Sequence, residues 1–185
     1  MRRSLVFGGL LAALLLHCPG GALAKDPQGL PAQAQAFLAG RAIPLDHVVR
    51  HHCHDLAFPV YRCFDTDVER DADALTLGAE LLSGSDSLID DLLAPLSTSS
   101  FTFALAYTLS NYGGSSLLIS APNPDLGSIG WSNVISSFKS TNGGRPKWWE
   151  YASYTGDQWQ WATSAWVPYV GTDADNQFTS VKNVP

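Results

Sequence analysis

Tyr107-Thr108-Leu109-Ser110-Asn111-Tyr112-Gly113-Gly114 and Trp149-Glu150-Tyr151-Ala152-Ser153-Tyr154-Thr155-Gly156 share one pattern: an aromatic, four residues, a tyrosine, one residue, a glycine. About 25 residues beyond each start comes a second shared block. It reads Ser132-Asn133-Val134-Ile135-Ser136-Ser137 in the first copy and Asp175-Asn176-Gln177-Phe178-Thr179-Ser180 in the second. The copies stand 42 residues apart at the aromatics and 43 at the serines. Two ordered landmarks kept in phase over that distance mark an internal repeat. The pattern predicts a hairpin in each copy, with an aromatic packing on a second aromatic beyond the turn. Gly114 or Gly156 supplies a positive φ where the hairpin folds over. The later serine can hydrogen-bond back into the hairpin and pin it. One such unit is a marginal sheet with open edges, and two packed face to face share a core.

The surroundings agree with a β architecture. From Ser97 onward charge drops and Gly, Ser and Asn turns multiply. Phe101, Phe103, Leu105 and Tyr107 alternate with period two, and Leu117-Leu118-Ile119 and Trp159/Trp161 are further short apolar runs. Many short strands with turns between them predict a sandwich or barrel.

The doubled corner and the doubled block carry a resemblance: the segment 103–183 resembles a βγ-crystallin domain. That covers a little under half of the chain and implies a mainly β fold, a Greek-key sandwich of two repeats at about 103–139 and 146–183. It also implies calcium held between the paired blocks. Carried over by position, the ligands would be Asn133, the Val134 carbonyl and Ser136 from the first copy. The second copy would give Asn176, the Gln177 carbonyl and Thr179, each fifth-position hydroxyl reaching across to the other copy's ion. Thr108 and Glu150, after the leading aromatics, would add a hairpin ligand each. Asp175 to Ser180 matches the family pattern throughout, whereas Ser132 stands where an acid or amide is expected. Few full carboxylates are among these groups, which implies micromolar or weaker affinity. The competing reading is that the same residues only cap and hold the return strand.

The rest of the chain is less specific. Arg2 and Arg3 followed by an apolar run from Leu5 to Leu16 and by Ala22-Leu23-Ala24 read as a signal peptide over residues 1–24. A lipoprotein reading through Cys18 meets His17 where a small residue is needed. Secretion leaves Cys53 and Cys63, for which a disulfide is the default in an oxidising compartment and a reactive or metal-binding thiol the alternative. Removing Arg2 and Arg3 takes the formal net charge from −6 to −8. That argues against nucleic acid and anionic membranes as partners and suits a cation.

Residues 25–100 read as an N-terminal extension ahead of a 101–185 crystallin-like domain. Within it, 25–45 is Pro, Gln and Ala rich and predicts a loosely ordered arm. Pro59 demotes Ala57 to Tyr61 to an edge strand or hairpin arm. Thr66 and Glu69 form a capping-box pattern, and Ala72, Leu75, Leu77, Leu81 and Leu82 supply a helical apolar face. Ser83-Gly84-Ser85 breaks this helix, and Ser87 to Leu93 predicts a second short one before Pro95.

Two further features invite competing readings. His51-His52-Cys53-His54-Asp55 holds zinc-ligand residue types, but its spacing fits no standard zinc pattern and a solvated loop is the plainer reading. The tryptophans from Trp131 to Trp166 read as core or, in part, as an exposed face for carbohydrate or protein. No nucleophile elbow, phosphate loop or dinucleotide fingerprint occurs, and Asp90-Asp91 are helix neighbours that do not face each other. The expectation is therefore a secreted, non-enzymatic calcium-binding protein. The alternative is a secreted protein-recognition module such as a protease inhibitor or a toxin-like protein.

Overall fold

The computed structural model describes residues 33–83 and 102–185, with the backbone alone for 80–83. Gln33–Pro185 forms one compact unit. The predicted signal peptide and the helix expected over Ser87 to Leu93 lie outside the described residues.

The repeat folds as predicted. In the first copy β5 (Ala104–Leu109) turns through a tight corner into β6 (Gly113–Ile119), and β7 (Ser137–Ser140) returns beside β5. In the second, β8 (Pro146–Tyr151) turns into β9 (Thr155–Gln160), and β11 (Ser180–Asn183) returns beside β8. The third strands are exchanged. β10 (Trp166–Val167) belongs to the second copy but pairs with β7, while Asn123 of the first copy bridges to Val181 of β11. This exchange makes each unit a Greek key. It yields the βγ-crystallin-like sandwich that the sequence implied.

Between the sheets lies one core. Ala104, Ala106, Leu117 and Ile119 face it from the first copy, and Trp148, Phe178 and Val181 from the second. In β5 the inward positions are therefore the alanines, and Leu105 and Tyr107 point to the other face. Small residues inside leave room for Trp131 and Trp148, both fully buried. Trp148 stacks on Phe178 at 5.0 Å, and Phe178 also meets Trp159 and Trp161. Most tryptophans are thus core or core margin. Trp166 is the exception, 68% exposed.

The N-terminal extension contributes more strand than its composition suggests. β1 (Gln35–Leu38) and β2 (Arg41–Ile43) form a hairpin where a loose arm was expected. Ala39 and Gly40 both take positive φ in its two-residue turn, the geometry such loops favour. β1 is then fixed by parallel pairing with β4 (Val60–Phe64), a tertiary contact that composition does not reveal. β3 (His52–Ala57) pairs with β4 across a turn at Phe58-Pro59, and Cys53 and Cys63 lie opposite one another and are disulfide-bonded. On its other side β3 runs parallel to β6. The result is a mixed sheet in the order β10-β7-β5-β6-β3-β4-β1-β2, facing a three-stranded sheet β11-β8-β9.

α1 (Asp67–Ser83) opens with the predicted capping box: the Glu69 amide donates to Thr66 Oγ1, and the Thr66 amide donates to Glu69 Oε2. Its buried face differs from the expected one. Ala72 and Leu75 are exposed, and Arg70, Ala74 and Gly78 are buried. The helix packs on β3 and β4, and small residues at the contact let it come close. The solvated loop expected over His51 to Asp55 is likewise corrected. His54 and Asp55 are buried, because β3 is covered by the core on one side and by α1 on the other.

Candidate metal centre

The corners position the site. Tyr107 meets Tyr112 edge-on at 5.6 Å, and Trp149 meets Tyr154 at 5.3 Å. Asn111 and Tyr112 in one corner, and Ser153 and Tyr154 in the other, take positive φ, followed by Gly114 and Gly156 at 74° and 80°. A Cβ at Gly114 would run into Thr108 Oγ1, so the corner closes only on glycine. Ser137 Oγ donates to the Leu109 carbonyl and accepts from the Tyr112 amide. Ser180 Oγ does the same to the Tyr151 carbonyl and the Tyr154 amide. The sixth residue of each block is the predicted pin.

The rest of each block is tied to the other copy. The Asn133 amide donates to the Phe178 carbonyl, and the Asn176 amide to the Ile135 carbonyl. The corners reach across as well: the Asn111 amide donates to Pro168 O and the Ser153 amide to Pro124 O. Asn133 and Asn176 hold φ of 56° and 57°, left-handed positions that asparagine tolerates. Each loop therefore turns on a left-handed asparagine, and in the first the Asn133 side chain lies beside the Thr179 hydroxyl of the opposite copy.

The two loops then diverge. In the first, Ser132 Oγ lies 2.8 Å from Thr179 Oγ1, which in turn donates to Asn133 Oδ1 at 3.3 Å. Thr179 thus reaches across the copies, and its hydroxyl engages two of the first loop's oxygens. In the second loop, Asp175 Oδ1 is a buried carboxylate oxygen with no hydrogen-bond partner. Buried polar atoms are nearly always paired, so an orphan here marks a place for a cation or water. Ser136 of the opposite copy is also buried.

Thr108 and Glu150 are turned into their own hairpins. Thr108 Oγ1 accepts the Ser115 amide and Glu150 Oε2 the Asp157 amide. The Glu150 carboxylate, hydrogen-bonded to the neighbouring phenol, raises Tyr151 above its ordinary value. Beside the second loop a polar depression of about 400 Å³ is lined by Asp157, Gln158, Trp159 and Asp173. Among the described residues no three His, Cys, Asp or Glu side chains cluster at metal-binding distance. Any cation here would be held by carbonyl, amide and hydroxyl oxygens with Asp175, a donor set that suits a hard ion such as calcium. Sequence reasoning selected Asn176, Gln177 and Thr179 and passed over Asp175; its signal was its acidic character at the position where the first copy has Ser132.

The chain matches no family model and no curated protein. Among solved structures it is similar to a βγ-crystallin domain from Clostridium beijerinckii. The two are 28% identical over 44% of this chain and 95% of that one, at a TM-score of 0.40. A βγ-crystallin from an archaeon is 25% identical over 45% of this chain and 98% of that one, at 0.40. A βγ-crystallin from Ciona intestinalis is 20% identical over 44% and 98%, also at 0.40.

Proposed function

We propose that this is a secreted, non-enzymatic, crystallin-like protein whose paired Greek keys bind calcium, mainly as a structural brace. The observation that carries this reading is the buried, unpartnered Asp175 Oδ1 in the loop that matches the family pattern throughout. In the second loop Asp175, Asn176 and the Gln177 carbonyl would hold the ion, with Ser136 reaching from the other copy. In the first loop Asn133, the Val134 carbonyl and Thr179 would do so, after Ser132 gives up its bond to Thr179. Thr108 and Glu150 would serve through backbone oxygens, since their side chains already accept hairpin amides. Bound calcium would supply positive charge that neutralises a buried carboxylate and cross-links the two copies.

An ion bound to the native state alone stabilises by RT ln(1 + [Ca]/Kd), about 2.7 kcal/mol at a hundredfold excess over Kd. For a chain of this size that corresponds to a rise of roughly 5–10 °C in melting temperature. Melting the full chain in saturating calcium and in excess chelator tests the reading, and identical curves would sink it.

A further inference from the structure

α1 covers the sheet face that points away from the sandwich core, and its contacts there are mostly polar. Along β3, Cys53 faces the core, so its neighbours His52 and His54 face the helix. Arg70, 1% exposed, reaches under α1 to donate a guanidinium hydrogen bond to Ser116 Oγ of β6. Ser116 Oγ also lies 2.8 Å from His52 Nδ1. The serine oxygen accepts from Arg70 and can pass its own proton to Nδ1, an arrangement that suits a neutral imidazole, the form that the adjacent Arg70 cation also favours.

His54 is fully buried, with Nε2 2.8 Å from Asp73 Oδ2 on α1. Arg62 of β4 takes the other Asp73 oxygen at 2.9 Å. His54 Nδ1 is buried with no partner. A proton there would be a buried donor without an acceptor, which is costly.

The charged groups around both rings are mixed. Arg70, Asp67 and Asp71 from α1 face His52, together with His51 beside it. Asp73 and Arg70 from α1 and Arg62 from β4 face His54, while the Phe64 ring of β4 stacks on it at 6.1 Å. Burial is the largest influence on each and lowers its pKa. Arg70 adds to this at His52, and Asp73 opposes without cancelling it at His54. A histidine held below its ordinary value stabilises the docked state above about pH 6.5 and ceases to do so as the pH falls through the lowered value.

We propose that α1 is an acid-released cover, held on β3 and β6 by two neutral histidines and lifted when protonation makes them cations facing Arg70 and Arg62. Release would uncover Ser116, Leu118 and Tyr107, all buried in the docked state. The rest of the sandwich has no part in this latch and stays folded.

Hydrogen exchange of the full chain at pH 7 and pH 5, each read against intrinsic amide rates, tests this. The expected result is a loss of about tenfold or more in protection along α1, with β8 and β11 unchanged. A double variant His52→Gln with His54→Gln should keep α1 protected at both pH values. Unchanged α1 protection in the wild type overturns the proposal, as does loss only in step with β8 and β11, or acid loss persisting in the double variant. Should that variant not fold, an NMR titration of the wild-type imidazoles decides. Both titrating below the ordinary range, together with α1 release, supports the latch; either titrating at or above it overturns it.

Discussion

The two Greek keys agree at their corners and differ at their loops and edges. Ser137 and Ser180 make the same pair of bonds in their respective hairpins, and Tyr107–Tyr112 has its counterpart in Trp149–Tyr154. Yet the free edge of β6 is covered by β3, whereas β9 pairs only with β8 among the described residues. The first loop is closed by Thr179 reaching over from the second block to Ser132, and the second loop leaves a carboxylate oxygen bare. A corner is a backbone necessity, since its positive-φ residues must be pinned in any copy. Loops and edges are free to specialise, so the first repeat is braced by β3 and the second, among the described residues, keeps an open edge and an unpartnered carboxylate oxygen.

The largest test of this comparison is at the fourth position of each block, where Ile135 and Phe178 are both fully buried. Phe178→Ala should cost about 3–5 kcal/mol, since it empties the space among Trp148, Trp159 and Trp161. Ile135→Ala should cost about 2–4 kcal/mol. Urea denaturation measures both, and a larger loss in the first copy would mean that the core is centred differently.

Asp55 tests the brace on the first repeat. Its carboxylate, 2% exposed, accepts the Ser120 amide at 2.6 Å where β6 ends. Burial pushes its pKa up to about 6, although the Ser120 and Ala121 hydrogen bonds pull the other way. With the folded value above the unfolded one, the folded state keeps its proton longer. Wild-type stability therefore falls as pH rises from about 4 through about 6, then levels. Relative to Asp55→Asn, which has no such proton, the wild type should lose about 3 kcal/mol across that range. Parallel stability curves for the two proteins between pH 4 and 8 would refute this.

What the sequence made legible follows from the same distinction. The corner is spelled by side chains that each have one local task, so Tyr107, Tyr112, Gly114 and Ser137 could be read and then found in place. In the extension β3 is fixed by β6 and β1 by β4, partners distant along the chain, and His52 to Asp55 looks like loop because its cover is polar. Arg70 and Asp73 hid the buried face of α1 for the same reason, being charged where the pattern predicts apolar residues. The candidate ligands were legible as a block, but Asp175 stood out only once its oxygen was seen to lack a partner.

The pins should be equivalent where the loops are not. Ser137→Ala and Ser180→Ala each leave a corner amide and a strand carbonyl without a partner, at an expected cost of about 1–3 kcal/mol and nearly the same in both copies. A difference well beyond 1 kcal/mol by urea denaturation would show that the corners, too, have diverged.

The smallest and most discriminating change exchanges the leading residues of the blocks. Asp175→Ser gives the second loop the hydroxyl of the first, and Ser132→Asp gives the first a carboxylate in place of the oxygen now bonded to Thr179. If the orphaned carboxylate favours calcium, Asp175→Ser should weaken binding by about tenfold, a change near 1.4 kcal/mol, because charge count tunes oxygen sites. Without calcium the same substitution should be neutral or slightly stabilising, since it removes a buried carboxylate oxygen that nothing pairs. Ser132→Asp should do the reverse: a lower melting temperature in chelator, recovered or exceeded in calcium. Calorimetric titration and melting of both variants give the four values. If the exchange left calcium affinity unchanged in both, the contrast between a loop closed by Thr179 and one with an unpartnered carboxylate oxygen would be wrong, and the two blocks would be strand caps of equal kind.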